Sequence, residues 1–127
     1  METTTSNPSG GIFKAELDGS NLVKIISGIK SPRGITIDFG SLRLFWADYS
    51  DNKIYSSNLD GTDVRLVVQL SSGAGPWGIE VTDEKLVWGM KDRWAIQSSD
   101  KTGQGIKNLY NGTNPIYHLT IATPNPV

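Results

Sequence analysis

The chain has 127 residues, no cysteine and a single histidine. The absence of cysteine excludes disulfide bonds and thiolate chemistry within the chain, although it leaves the compartment open because many secreted domains lack cysteine. No apolar run approaches the roughly 20 residues that a membrane-spanning helix needs, so we predict no membrane insertion. The first residues, METTTSNPSGG, lack the apolar stretch of a signal peptide, so the chain either is made without one or has lost it.

The chain also has no large excess of positive or negative charge. Twelve basic and 13 acidic residues are spread along the chain and give a formal net charge of −1. No basic patch stands out, so nucleic acid is not an expected partner. Turn residues, in contrast, are abundant, with 14 glycines and six prolines, and this composition favours many short strands.

The sequence repeats itself at an offset of 42 residues. Three pairs of landmarks show this offset: Ile12 and Ile54, the Leu-Asp-Gly triplets at 17–19 and 59–61, and Trp46 and Trp88. Several independent landmarks at one offset indicate a repeat architecture rather than a chance match.

The central repeat contains four segments of strand character, which are separated by turn residues. They cover residues 34–38, 42–49, 53–59 and 64–70. Ile35 and Ile37 lie on one face of the first segment, because side chains alternate along a strand. The Asp-Gly pair at 60–61 indicates a hairpin, since both positions of its turn favour positive φ. Four strands in about 40 to 45 residues are typical of one blade of a β-propeller, so we predict an all-β fold.

The second segment carries a motif that resembles a known repeat. The stretch FWAD at 45–48 resembles the Tyr-Trp-Thr-Asp motif of the YWTD repeats, which are the class B repeats of the low-density-lipoprotein receptor family. The resemblance covers about residues 11–122 and includes the Pro-x-Gly-Ile segment that begins at Pro32. It implies a six-bladed propeller that is extracellular or secreted and binds proteins.

The two later repeats depart from this motif. Met90 replaces the motif aspartate in the next repeat, and Pro115-Ile116-Tyr117 replaces Pro-x-Gly in the last one. The match is therefore specific in the centre of the chain and degenerate towards both ends.

Extending the repeat in both directions predicts the organisation of the whole chain. Residues 1–10 are a tail or a degenerate strand at Thr3–Thr4–Thr5, residues 11–123 are three YWTD-like blades, and residues 124–127 are a C-terminal tail. The last predicted strand, residues 117–123, is the inner strand of a further blade. Three blades cannot close a ring, because propellers typically have 4 to 8.

We therefore predict that two copies of the chain form a homodimer that closes a six-bladed ring. An open half-ring leaves sheet faces and strand edges exposed, which favours association. The alternative is that the chain is a fragment of a longer receptor. Light scattering on the purified chain separates the two, since a stable monomer contradicts the dimer.

Asp48 is the first candidate for chemistry. A catalytic or metal-binding role needs a second acidic group nearby, and the sequence has no Asp-x-Asp-x-Asp-Gly calcium loop. The family resemblance implies that Asp48 is structural and forms hydrogen bonds between neighbouring blades. Trp46 and Trp88 occupy equivalent strand positions and are predicted to lie in the core. We predict no metal and no cofactor.

The sequence gives little support for an enzyme. His118 is the single histidine, and we predict that it is a core or channel residue on an inner strand. A Ser-His-Asp triad would have to use it, and no G-x-S-x-G nucleophile elbow is present. The several carboxylates or histidines that a hydrolytic propeller gathers at its channel are also missing.

A ligand-binding face is predicted from the position of the loops. In propellers, the connections into each inner strand and those between the second and third strands lie on one face around the channel. The family resemblance implies that protein ligands bind there. The candidates are Arg33, Trp77, Ile116 and Tyr117 near the axis, with Arg33 and Ile116 as the repeat equivalents of Trp77, and Asp51, Asn52, Lys91, Asp92 and Arg93 further out.

The resulting hypothesis is a non-enzymatic extracellular module that binds a protein through this loop face. One alternative is a carbohydrate-binding propeller, in which Trp77 or Trp94 stacks on sugars. Another is a structural assembly protein, in which Trp77 only plugs the mouth of the ring. Asn111-Gly112-Thr113 is an N-glycosylation sequon that can be used only if the chain is secreted.

Overall fold

Ten β-strands make up the regular structure of residues 10–121, the part of the chain that the computed structural model describes. The strands are β1 (Gly10–Lys14), β2 (Val23–Ile29), β3 (Pro32–Asp38), β4 (Arg43–Asp48), β5 (Lys53–Asn58), β6 (Arg65–Gln69), β7 (Pro76–Val81), β8 (Lys85–Met90), β9 (Ala95–Asp100) and β10 (Lys107–Asn111). Within this range no helix has the length and hydropathy needed to cross a membrane.

The strands form three antiparallel sheets, each with its strands in chain order. Blade 1 contains β1 and β2, blade 2 has the order β3-β4-β5-β6, and blade 3 has the order β7-β8-β9-β10. Trp46 pairs with Ile35 in blade 2, and Trp88 pairs with Ile79 in blade 3. Residues at equivalent positions of the sequence repeat therefore pair in the same strand register in both blades. These sheets confirm the predicted all-β propeller fold.

The hydrophobic core lies between the blades. Alternation along each strand sends one set of side chains towards the preceding blade and the other set towards the following blade. In β4, Trp46 packs into a cluster with blade 1, whereas Phe45 and Ala47 belong to a larger cluster that includes Trp88 of blade 3. Trp46 and Trp88 are almost completely buried, which places both in the core as predicted.

Glycine is required where the hairpin turn of one blade rests on the outer strand of the preceding blade. Gly61 and Gly103 lie at equivalent positions of the β5–β6 and β9–β10 turns, with φ values of 89° and 90°. A Cβ on Gly61 would collide with the carbonyl oxygen of Ile25, and one on Gly103 would collide with that of Val67. Each seam between blades therefore depends on a turn residue without a side chain.

An ion pair links blades 2 and 3 at the C-terminal end of β3. Asp38 is 4% exposed, and its Oδ2 accepts hydrogen bonds from Lys101 Nζ and Ser41 Oγ, each at 2.7 Å. Burial alone raises the pKa of the Asp38 carboxyl, but the hydrogen bonds from Lys101 and Ser41 and the charge of Lys101 outweigh it, so the pKa lies below its usual value. The ionised carboxylate therefore ties the β9–β10 turn to blade 2.

The predicted strand at 117–123 is not formed within the described residues. Residues 114–121 run beside β7, where a Cβ on Gly78 would lie 2.7 Å from His118 Cα and from the Tyr117 carbonyl oxygen. The segment thus occupies the place of an inner strand, yet it has no ladder partner between residues 10 and 121, and a strand is defined by its ladder. Residues 122 and 123, and the strand predicted at Thr4, lie outside the described residues.

Candidate binding face

Three side chains form a row where the inner strands begin. Arg33 and Trp77 are the second residues of β3 and β7, and Tyr117 follows in the segment beside β7. Arg33 Cζ lies 4.7 Å from the centre of the Trp77 ring. The rings of Trp77 and Tyr117 meet edge to face, with centres 5.3 Å apart and planes at 90°. The structure therefore brings together three of the four residues predicted near the axis.

The repeat equivalent of Trp77 in the last segment is Tyr117, and the assignment to Ile116 was wrong. A Cβ on Gly34 would meet backbone atoms of residues 77–79, and a Cβ on Gly78 would meet the same atoms of residues 117–119. Position 117 therefore corresponds to position 77. Ile116 instead packs against β8 of blade 3, where a Cβ on Gly89 would collide with its side chain.

Tyr49 is a member of this face that the sequence-based set did not contain. Its ring centre lies 5.2 Å from that of Trp77 and 5.9 Å from Arg33 Cζ. Its hydroxyl donates a 2.7 Å hydrogen bond to Asp92 Oδ2, from the β4–β5 turn to the β8–β9 turn. The sequence placed Tyr49 at the end of the predicted strand segment 42–49, next to the loop of Asp51 and Asn52, so its position beside the face could have been found.

A second cation lies against Tyr49 and is neutralised locally. Lys91 Nζ is 5.7 Å from the centre of the Tyr49 ring and 3.3 Å from Asp92 Oδ1. The hydrogen bond to Asp92 raises the pKa of Lys91, and the hydrogen bond that Tyr49 donates to the same carboxylate raises the pKa of Tyr49. Lys91 thus keeps its charge and Tyr49 keeps its proton at neutral pH.

These residues are called the aromatic–cation cluster below. Its members share one end of the inner strands and the adjoining turns: Arg33, Tyr49, Trp77, Lys91, Asp92 and Tyr117. Arg33 is exposed, and within residues 10–121 it makes cation–π contacts but no ion pair. The cluster therefore presents one unneutralised guanidinium group, held by aromatic rings, to the solvent.

The remaining predicted residues of the face have local partners. Asp51 forms a 3.3 Å ion pair with Lys30. Asn52 Oδ1 accepts a 2.9 Å hydrogen bond from the backbone N–H of Gly75, and Arg93 donates a 2.7 Å hydrogen bond to the Ser72 carbonyl. Asn52 and Arg93 thus fix the turns of the face to the connection between β6 and β7.

Asp48 is buried at the end of β4 and caps its own turn. Its Oδ1 accepts hydrogen bonds from the backbone N–H groups of Ser50 at 3.1 Å and Asp51 at 3.3 Å. The expected hydrogen bonds between blades are not seen in the described part of the chain, because both donors belong to the β4–β5 turn. The residue has a structural role in this turn.

No metal centre is found in the part of the chain that the structure describes. Among residues 10–121, no three His, Cys, Asp or Glu side chains gather to hold a metal ion. His118 is exposed on the segment beside β7, so it is not a core residue, and its place in the channel stays a prediction.

The geometry defines a class of protein before any relative is considered. Four-stranded antiparallel blades, with tryptophan cores and loops that gather aromatic and charged side chains at one end, define a segment of a β-propeller. No family model matches the chain.

Comparison with known proteins narrows this class to one family. The vitellogenin receptor of Solenopsis invicta is 36% identical over 111 residues, which are 85% of this chain. Low-density lipoprotein receptor-related protein 5 of Homo sapiens is 29% identical over 80% of the chain. A crystal structure of a nidogen–laminin complex superimposes with a TM-score of 0.77 and 29% identity, over 88% of this chain and 44% of that one. These similarities confirm the predicted resemblance to the YWTD repeats, the class B repeats of the low-density-lipoprotein receptor family.

The chain is much shorter than these relatives. It spans 6% of the length of each of the two receptors. The similarity thus concerns the propeller blades alone.

Proposed function

We propose that the protein is a non-enzymatic extracellular module that binds a partner protein through the aromatic–cation cluster. The family and the fold support this function, because the similar proteins include receptors and a nidogen in complex with laminin. The observation that carries the proposal is Arg33, an exposed cation without a carboxylate partner within the described residues, at the centre of an aromatic surface.

The chemistry of Arg33 indicates what the partner offers. A guanidinium group is planar and donates paired hydrogen bonds that match a carboxylate in a bidentate arrangement. The Trp77 and Tyr49 rings lie near its carbon atom at 4.7 and 5.9 Å, which limits its rotamers while leaving its N–H edges open. We therefore infer that an aspartate, a glutamate or a chain-terminal carboxylate of the partner binds Arg33.

The aromatic side chains supply contact area beside this charge. Trp77 is half-buried, and Tyr117 is 46% exposed. Tryptophan, tyrosine and arginine are the side chains most often found as energetic anchors of protein interfaces. A partner residue with an apolar neighbour next to its carboxylate therefore fits the cluster.

A selection from a displayed random-peptide library tests this function. We expect the selected peptides to share an acidic residue. We also expect Arg33→Ala to weaken their binding about 10- to 100-fold, since a hydrogen bond to a charged group contributes about 1.5–3 kcal/mol. Arg33→Lys should recover only part of the loss, because lysine keeps the charge without the planar fork. Titration by calorimetry measures each constant.

Lys107→Ala is the matched control for the charge. Lys107 is an exposed cation at the start of β10, at the end of the sheet that lies away from the cluster. Equal losses in the Arg33 and Lys107 variants would reduce the effect to net charge and contradict a site at Arg33.

Carbohydrate binding is the other predicted function. Arg33 covers one side of the Trp77 indole at 4.7 Å, and the rings of Tyr49 and Tyr117 contact its edges, so little of Trp77 is left for a sugar. Trp94 is 44% exposed in the β8–β9 turn and is the better stacking candidate. A glycan-array signal that free sugar removes and Trp94→Ala abolishes would favour this function over protein binding.

The homodimer that closes a six-bladed ring stays a prediction. An open apolar groove of about 640 Å³ lies between blades 1 and 2 and includes Ile12, Phe13, Ile35 and Ile37 in its lining. Such a groove needs a cover, and the inner strand of a second copy is the cover that the homodimer supplies.

A further inference from the structure

The end of β10 carries a modification motif that the binding function does not use. We propose that Asn111, in Asn111-Gly112-Thr113, is an acceptor for N-linked glycosylation and that its glycan covers the free edge of β10. The proposal depends on the extracellular location stated above, since the acceptor must pass through the secretory route. Asn111 is not a member of the aromatic–cation cluster, although it lies at the same end of blade 3, beside the β8–β9 turn.

Asn111 is accessible in the described structure. All five residues of β10 are exposed, and Asn111 is the last of them, paired with Ala95. Its Oδ1 accepts a long hydrogen bond of 3.4 Å from Asn108. Its Nδ2, the atom that receives the sugar, donates to no group within residues 10–121. The reacting atom therefore points to a region that a transferase can reach.

The repeat shows that this exposure does not depend on the absence of a following blade. The residue that corresponds to Asn111 in blade 2 is Gln69, since Gln69 pairs with Lys53 as Asn111 pairs with Ala95. Blade 3 packs against blade 2, and yet Gln69 remains exposed. A further blade packed in the same way against blade 3 would thus leave Asn111 open.

The chain leaves the sheet directly after the acceptor. The N–H of Gly112 donates a 2.6 Å hydrogen bond to the Trp94 carbonyl, and residues 112–121 form no strand. Thr113, whose hydroxyl defines the sequon, is exposed as well. Asn111 is thus the last residue of the β10 ladder, and Thr113 lies beyond the ladder in the exposed segment that follows.

The transfer reaction is a substitution at the first sugar of a polyprenyl-diphosphate-linked oligosaccharide. Asn111 Nδ2 forms a bond to the anomeric carbon and loses one proton. The bond from that carbon to the diphosphate oxygen breaks, and the polyprenyl diphosphate leaves with the electron pair. No oxidant or reductant is needed.

A glycan at this position has a structural consequence. β10 is the outermost strand of blade 3, and its outer edge has no ladder partner in the described range. Leu109 and Tyr110 on the same strand are about half exposed. Open strand edges with apolar side chains pair with other chains, and a bulky hydrated glycan blocks that approach.

Secretion from glycosylating cells behind an added leader tests the acceptor. We expect peptide mass spectrometry of the secreted, folded chain to find the added mass on Asn111, and N-glycosidase to remove it and leave aspartate. Asn111→Gln and Thr113→Ala should abolish the modification, whereas Thr113→Ser should retain it. An unmodified Asn111 in the secreted, folded chain would overturn the proposal.

Two further measurements test the role of the glycan at the strand edge and separate the glycosylation site from the proposed binding function. We expect the deglycosylated chain and Asn111→Gln to self-associate at lower concentration than the glycosylated chain in light scattering, and equal behaviour would overturn the role at the edge. Asn111→Gln should still bind acidic peptides through Arg33. Loss of peptide binding with an occupied Asn111 would contradict the proposed function and leave the glycosylation site standing.

Discussion

Gly103→Ala is expected to destabilise the fold by about 2–5 kcal/mol. The residue has a φ of 90°, which costs about 1–2 kcal/mol for an alanine. The new Cβ would also collide with the Val67 carbonyl oxygen, and overpacking of this kind adds about 1–3 kcal/mol or more. Because the colliding atom belongs to the backbone of Val67, the clash cannot be relieved by a change of side-chain rotamer. Urea unfolding followed by tryptophan fluorescence measures the loss.

Gly19→Ala is the matched control for this variant. Gly19 occupies the equivalent turn in blade 1, with a φ of 87°, and nothing lies within 4 Å of the position that its Cβ would take. It should lose only the conformational part, about 1–2 kcal/mol. Similar losses in the two variants would mean that the seam between blades 2 and 3 does not depend on the contact with Val67.

The fold could be predicted because the repeat recurs at the level of single strands. Trp46 and Trp88, and the Asp-Gly turn at 60–61, report local requirements for burial and for positive φ, and these requirements are the same in every blade. The observed strands of blade 2 agree with the predicted ones to within two residues at each end. Local chemistry was therefore sufficient for the blades.

Contacts between blades could not be predicted from local sequence patterns. Asp38 and Lys101 are 63 positions apart, and Tyr49 and Asp92 are 43 apart. Such pairs depend on how one sheet lies against the next, which no local pattern specifies. The sequence thus indicated a loop face but not the hydrogen bond that holds Tyr49 within it.

The register of the last segment shows a second limit. The prediction aligned Pro115 with Pro32 and Pro76, which made Ile116 the equivalent of Trp77. Packing instead follows the close approach of inner strands at Gly34 and Gly78, and this approach places Tyr117 in the row. A one-residue shift exchanges the two faces of a strand. The prediction therefore placed Ile116 near the axis together with Tyr117, whereas only Tyr117 contacts Trp77.

Trp88→Ala is expected to destabilise the protein by about 3–5 kcal/mol, the range for removal of a buried tryptophan. The side chain is completely buried and belongs to the cluster that joins blade 3 to Phe45, Ile54 and Val68 of blade 2. The cavity would lie in the seam beneath the binding face, because Trp88 pairs with Ile79 two residues after Trp77. Thermal unfolding and urea titration measure the change.

Trp88→Phe distinguishes lost volume from lost hydrogen bonding. The Trp88 Nε1–H group is buried and has no partner among the residues that the structure describes. An unpaired buried donor is unfavourable by about 1–3 kcal/mol, so its removal offsets part of the smaller ring's lost packing. We therefore expect Trp88→Phe to retain most of the stability that Trp88→Ala loses. A phenylalanine variant as unstable as the alanine variant would show that the indole N–H has a partner in solution, and that Trp88 stabilises the seam through this bond as well as through its volume.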